Sequence, residues 1–187
     1  MMRKLVPLLF LFTLGCRTAA PQLAGQAFWE AMAPYCGKAY EGKLVEGTEP
    51  SDAAFGQQRL VMHVHSCSER EIRIPFTIGE NRSRTWVITR TADSVRLKHD
   101  HRHEDGTPDR VTQYGGDTAT AGTDLTLEFH ADAFTASLIP TARTNIWTMS
   151  VAPGQTFTYA LRREESGRRF RVDFDLTRAV SAPPPPW

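Results

Sequence analysis

The chain lacks most of the features by which enzymes and nucleic-acid binders announce themselves. Its 187 residues contain no Gly-x-Ser-x-Gly elbow, no phosphate-cradling glycine loop and no Cys–His nucleophile pair. Those absences remove the familiar hydrolase and nucleotide-binding motifs. Charge of one sign is not in excess: 22 Lys and Arg stand against 21 Asp and Glu. The basic residues are scattered rather than massed, so nucleic acid is not an expected partner. No apolar run approaches the ~20 residues that a helix needs to cross a bilayer. Cysteine is scarce, with three in the chain.

What is present begins at the N-terminus. Arg3 and Lys4 precede an apolar run over residues 5–14, and Gly15-Cys16 follows. A basic start, an apolar stretch of only ~10 residues and a small residue before the processing point read as an export signal. The quartet Thr13-Leu14-Gly15-Cys16 resembles a bacterial lipobox, with Thr13 standing where Leu, Val or Ile is usual. The resemblance implies a lipoprotein signal peptide over residues 1–16, lipidation at Cys16 and a membrane partner through that lipid. Arg17 rather than Asp follows the cysteine, which implies the outer membrane, facing periplasm or surface. Plain secretion, with cleavage after Thr18-Ala19-Ala20, is the alternative, and Pro21 disfavours it. With Cys16 set aside, Cys36 and Cys67 form an even pair in an oxidising compartment, which suggests a disulfide. Two buried free thiols are the competing reading.

The remaining ~170 residues are enough for one domain with a real core. Residues 17–25 read as a tether, 26–178 as the folded domain and 179–187 as a Pro-rich tail, polyproline over 183–186. One N-terminal helix is expected over 22–32, with Phe28-Trp29 near its middle and Pro34 ending it. After that the dominant signal is strict alternation. Ile72, Ile74, Phe76 and Ile78 alternate with polar neighbours, as do Val95 and Leu97. Leu125, Leu127 and Phe129 repeat the pattern, then Phe157, Tyr159 and Leu161, then Phe170, Val172, Phe174 and Leu176. Each set places apolar groups on one face of a strand.

Further strands are expected over 39–45, 59–66, 84–91, 111–114 and 145–151. Turns are expected at Gly79-Glu80-Asn81, Asp105-Gly106, Gly115-Gly116-Asp117, Pro153-Gly154 and Ser166-Gly167. A helical turn over 133–138 would start on Asp132 as its cap. About ten short strands with one wet face imply an all-β fold, an antiparallel up-and-down barrel, because closure covers the apolar face and removes exposed edges.

This pattern resembles the calycin architecture of lipocalins, with an N-terminal helix near one mouth, although no Gly-x-Trp opening is present. The chain is also similar to uncharacterised bacterial secreted proteins. The similarity lies in the runs Phe28-Trp29-Glu30-Ala31, Tyr35-Cys36-Gly37-Lys38-Ala39-Tyr40-Glu41-Gly42, Arg82-Ser83-Arg84-Thr85-Trp86 and residues 97–106. It brings no activity with it. The calycin resemblance implies a barrel that holds a small, partly apolar molecule.

Candidate chemistry concentrates in histidines. His99, His101 and His103 share parity with Val95 and Leu97, so an inward Leu97 would bring all three inward towards a strand end. Alternate residues are ~6.6 Å apart, so two imidazoles could converge on one divalent transition metal. A bulge, or the bend at Asp105-Gly106, would be needed to bring in the third, with Glu104 as a fourth ligand or base. Solvated histidines at a strand end are the plainer reading. His63 and His65 lie opposite Leu60, Met62 and Val64, and His130 opposite Leu127 and Phe129, which turns all three outward. The acidic segment over 104–109 lacks the alternating carboxylates of a calcium loop and reads as a turn. Trp29, Trp86, Trp147, Tyr40 and Tyr159 would line a cavity or simply fill the core. Arg162, Arg163, Arg168, Arg169 and Arg171, interrupted by Glu164 and Glu165, read as a solvated hairpin end, with an anion contact as the alternative.

The leading expectation is therefore an envelope-anchored barrel binding a small, partly apolar ligand through His99, His101, His103, Trp86 and Tyr159. A metal-dependent enzyme using His99, His101, His103 and Glu104 is the second. A structural lipoprotein with a filled core is the third.

Overall fold

The alternating stretches become eleven strands among the described residues, which in this computed structural model are 23–120 and 125–187. The export signal, Cys16 and Gln22 lie outside the described residues, and the helix expected from Gln22 starts only at Gln26, after a turn at 24–25. Helix α1 (Gln26–Met32) follows Gly25, whose φ of 66° is left-handed. A short 3-10 turn (Ala33–Tyr35) carries Pro34 beyond it. Then come β1 (Ala39–Gly47), α2 (Pro50–Gly56), β2 (Leu60–His63), β3 (Ser66–Cys67), β4 (Glu71–Ile78), β5 (Asn81–Arg90), β6 (Val95–His101), β7 (Tyr114–Thr118) and β8 (Thr126–Ala131). The chain ends with α3 (Ala133–Leu138), a 3-10 turn (Pro140–Ala142), β9 (Asn145–Ala152), β10 (Thr156–Arg163) and β11 (Arg168–Val180).

Successive strands pair antiparallel, β11 returns to β1, and β1 pairs β2, which in turn pairs β4. The sheet is thus a closed ten-strand barrel, as expected, with the two-residue β3 as an extra rung on β4. Closure leaves no long unpaired edge and lets every strand bury one face. Most inward residues are those the alternation picks out: Ile72, Ile74 and Phe76 on β4, Val95 and Leu97 on β6, Phe157 and Tyr159 on β10, and Phe170, Val172, Phe174 and Leu176 on β11 are all buried, whereas Leu125 precedes β8 and is exposed.

One end of the barrel is plugged and the other is open. Helix α1 drives Phe28 and Met32 into the interior, where Phe28 meets Phe157 edge-on with ring centroids 6.4 Å apart. The Trp29 indole N–H donates to the Ser68 carbonyl at 3.0 Å, and the Arg90 guanidinium lies 4.4 Å over its ring. Cys36 and Cys67 form the expected disulfide, with Cα atoms 6.1 Å apart. It ties the chain leaving α1 to β3. The Tyr35 hydroxyl accepts from the Gly154 N–H at 2.6 Å, locking the β9–β10 turn over the same end.

Three expectations need correction. The strand expected over 111–114 lies instead at Tyr114–Thr118, and Gly115-Gly116-Asp117 is part of that strand rather than a turn. The glycines are there for close approach: a Cβ on Gly116 would fall 1.6 Å from the His130 carbonyl oxygen. The Thr135 hydroxyl of α3 accepts from the Gly115 N–H at 2.7 Å and donates to the Gly115 carbonyl at 2.8 Å. Asp132 does cap α3, accepting from the Thr135 N–H at 2.8 Å. Residues 59–66, expected as one strand, divide into β2 and β3. Helix α2 was not expected at all, though its capping box was in plain sight: Glu49 and Asp52 bracket Pro50 at the first helical turn.

β11 runs to Val180, into the first residues of the Pro-rich tail. The tail then lies against β5: the Arg82 guanidinium donates to the Pro185 carbonyl at 2.7 Å and sits 5.8 Å over the Trp187 ring.

Candidate functional site

At the end opposite α1 the strands surround a cavity of about 340 Å³. Its floor is aromatic. Trp86 on β5 stacks between Phe76 and Tyr159, with centroids 4.8 and 4.3 Å away. Trp147 on β9 and Phe170 on β11 complete the apolar wall, and α2 lays Phe55 across the rim against Phe170 at 5.7 Å. The strand positions follow from parity, since each is an inward residue of its strand, and Phe55 comes instead from α2.

The inward face of β6 carries His99 and His101 into this cavity, as its parity predicts. His99 is buried and stacks on Tyr114 at 4.5 Å. Its Nδ1 lies 3.1 Å from the Tyr114 carbonyl oxygen, which can only accept, so Nδ1 carries the proton. Nε2 is then the acceptor for the Tyr159 hydroxyl at 2.8 Å. His101 Nε2 is 3.1 Å from the Tyr114 hydroxyl, and its backbone N–H donates to Thr112 Oγ1 at 2.7 Å. The connection after β6 thereby folds back over the rim, held also by pairing between Arg102 and Pro108.

Burial shapes the protonation of the group. Desolvation pushes the His99 imidazole down to about 3, the nearby His101 and Lys98 adding to it against the Tyr114 carbonyl. The same cause, with Arg84 close by, brings His101 to about 4. Burial raises Tyr114 to about 12 and takes Tyr159 well above its ordinary value. Near neutral pH the four rings are therefore all uncharged.

His103 and Glu104 do not join them. β6 ends at His101, and both residues are exposed on the connection beyond it. The turn at Asp105-Gly106 is formed as expected, with Gly106 at φ 81°, and His103 is not among the residues lining the cavity. Among the described residues no three His, Cys, Asp or Glu side chains gather as a metal-holding group. His63 is half-buried beside His65 with ring centroids 5.1 Å apart, and His65 and His130 are exposed.

The cavity also contains charged residues that the histidine pattern did not single out. Arg84 on β5 shares parity with Trp86 and Ile88 and so points inward. Asp52 of α2 is buried and receives two hydrogen bonds from the Arg168 guanidinium, one of them at 2.7 Å. Burial alone would raise its carboxyl, but the Arg168 bonds and backbone N–H groups outweigh that and hold it low. Arg163, the last residue of β10, donates from Nε to Asn145 Oδ1 at 2.7 Å. Parity marks Arg84 and Arg163 as inward once their strands are known. Asp52 was visible only through the cap of a helix that alternation cannot see.

Compared with protein-family models, with curated proteins and with solved structures, the chain has no significant match.

Proposed function

We propose that this is an exported envelope protein whose barrel binds a small, partly apolar molecule at its open end. The cavity carries the reading. It is concave, walled by Trp147, Phe170, Phe55 and Leu161, and furnished with a few converging polar groups, the composition expected of a small-molecule site. His101 and Tyr114 supply neutral hydrogen-bonding edges, and His99 and Tyr159 brace them from behind. A filled core would have closed the mouth with side chains, as α1 does at the other end. The export signal read from the sequence accounts for the compartment, with anchoring through lipid on Cys16, and the Cys36–Cys67 bridge suits an oxidising one.

Native mass spectrometry of the full chain, purified gently from an exporting host, tests the binding reading. A non-covalent organic adduct, or saturable uptake of the neutral dye N-phenyl-1-naphthylamine, is the expected result. A bare chain that also takes up no dye would refute it. Labelled palmitate incorporation that persists in Cys16→Ser would refute the anchor without touching the cavity.

A further inference from the structure

We infer that the open end selects an anion: Arg84 and Arg163 meet a carboxylate or similar oxyanion on the guest, so that the ligand is a small apolar acid. The inference rests on reading the cavity as a binding site.

The charges that line the cavity support it. Three arginines, Arg84, Arg163 and Arg168, face one carboxylate, Asp52. Asp52 is already matched by Arg168 in a two-point pair, so neither is available to a guest. The histidines and tyrosines contribute no charge near neutral pH. What remains is two guanidinium groups, each beside neutral partners. Arg84 Nη1 donates to Asn81 Oδ1 at 3.0 Å and to Ser83 Oγ at 3.3 Å, and among the described residues its Nε and Nη2 have no acceptor. The Phe55 ring lies 5.7 Å from its Cζ. Desolvation lowers its affinity for its proton. Arg163 has its Nε fixed by the buried Asn145, which leaves the guanidinium tip unassigned.

Asp109, within electrostatic reach of His101 and Tyr114, accepts from the Val111 N–H at 2.8 Å. Glu165 pairs with Arg143 at 2.7 Å and Glu164 lies 3.8 Å from Arg162. Some arginines outside the cavity do find carboxylates: Arg96 with Asp117, Arg162 with Glu128 and Arg171 with Asp173. Partly buried guanidinium groups without a counter-charge are costly, and a carboxylate offers the two-point acceptor geometry that satisfies them. The apolar wall formed by Trp147, Leu161 and Phe170 sets the other half of the specificity.

A matched pair of probes tests this on the full chain: 2-naphthoate and 2-naphthamide, alike in size and differing in charge, titrated by quenching of Trp86 and Trp147 fluorescence. Naphthoate is expected to bind about tenfold or more tighter. Arg84→Gln and, separately, Arg163→Gln should each weaken naphthoate about tenfold and change naphthamide less than about twofold. Equal affinity for the two probes, or naphthoate binding untouched by either substitution, overturns the anion assignment and leaves the cavity as a neutral site. Binding of neither probe overturns the cavity reading itself. The wild-type ratio needs no variant, so a substitution that fails to fold leaves the test intact.

Discussion

Lowering the pH from about 7 to about 5 should destabilise the fold through His99, because the unfolded chain gains a proton there that the folded chain refuses. In the folded state this imidazole is buried against Tyr114, Trp147 and Tyr159, and it accepts a proton only at about 3. In the unfolded chain it titrates near ~6.5. Between those values the unfolded state binds the extra proton, so stability is complete above ~6.5 and declines as pH falls. The slope is about 1.4 kcal/mol per pH unit for one such site, which gives about 2 kcal/mol by pH 5. His101, faced by Arg84, Tyr114, Asp100 and Asp109, shifts in the same direction. It is only half-buried at the mouth, so its share is smaller. Asp52 also loses its contribution on acidification, but below the ordinary carboxylate range, outside this window. Urea unfolding at the two pH values measures the total. His63 is shifted the same way, so histidine ring NMR is needed to assign the loss. The His99 resonance should stay in its neutral form down to about pH 4.5. A midpoint near ~6.5 for that ring, or an unchanged unfolding free energy at pH 5, would show that the reasoning about its burial is wrong.

Three further outcomes follow from particular contacts. Asp52→Asn removes the charge partner of Arg168 and weakens the cap of α2, and should cost about 3 kcal/mol in denaturant unfolding; a loss under about 1 kcal/mol would mean that the pair is solvated. Thr135→Val keeps the shape but leaves the buried Gly115 N–H and carbonyl without their side-chain partner, and a drop of about 1–3 kcal/mol is expected, with faster hydrogen exchange at Gly115 and α3. Reducing the Cys36–Cys67 bridge frees residues 31 apart and should lower stability by about 4 kcal/mol, seen as a fall in Tm under reductant; an unchanged Tm would place the stabilisation of that end in α1 packing alone.

Alternation carried most of the fold into view. A strand switches sides at every residue, so the inward set of β4, β6, β10 and β11 can be written from the chain directly, and with it the inward direction of His99 and His101. Where the backbone departs from ordinary side-chain logic, the pattern failed. β7 is built on Gly115 and Gly116 because the backbones of β6 and β8 press against it, and a sequence reader sees in those glycines only a turn. The same limit explains His103: parity extends inward only while the strand lasts, and β6 stops at His101. Asp52 and the rim formed by α2 were hidden because a two-turn helix between strands has almost no periodicity of its own.

By itself, then, the chain determined its strands, their wet and dry faces and the class of architecture, since each depends on neighbours a few residues away, and the cysteine pair followed from the cysteine count. Only the closed barrel decided which end is plugged, which arginines face an interior and which aromatic rings share a wall. Arg84, Trp147 and Arg163 meet because β5, β9 and β10 lie around one ring of backbone hydrogen bonds, and that proximity is absent from any local stretch of sequence.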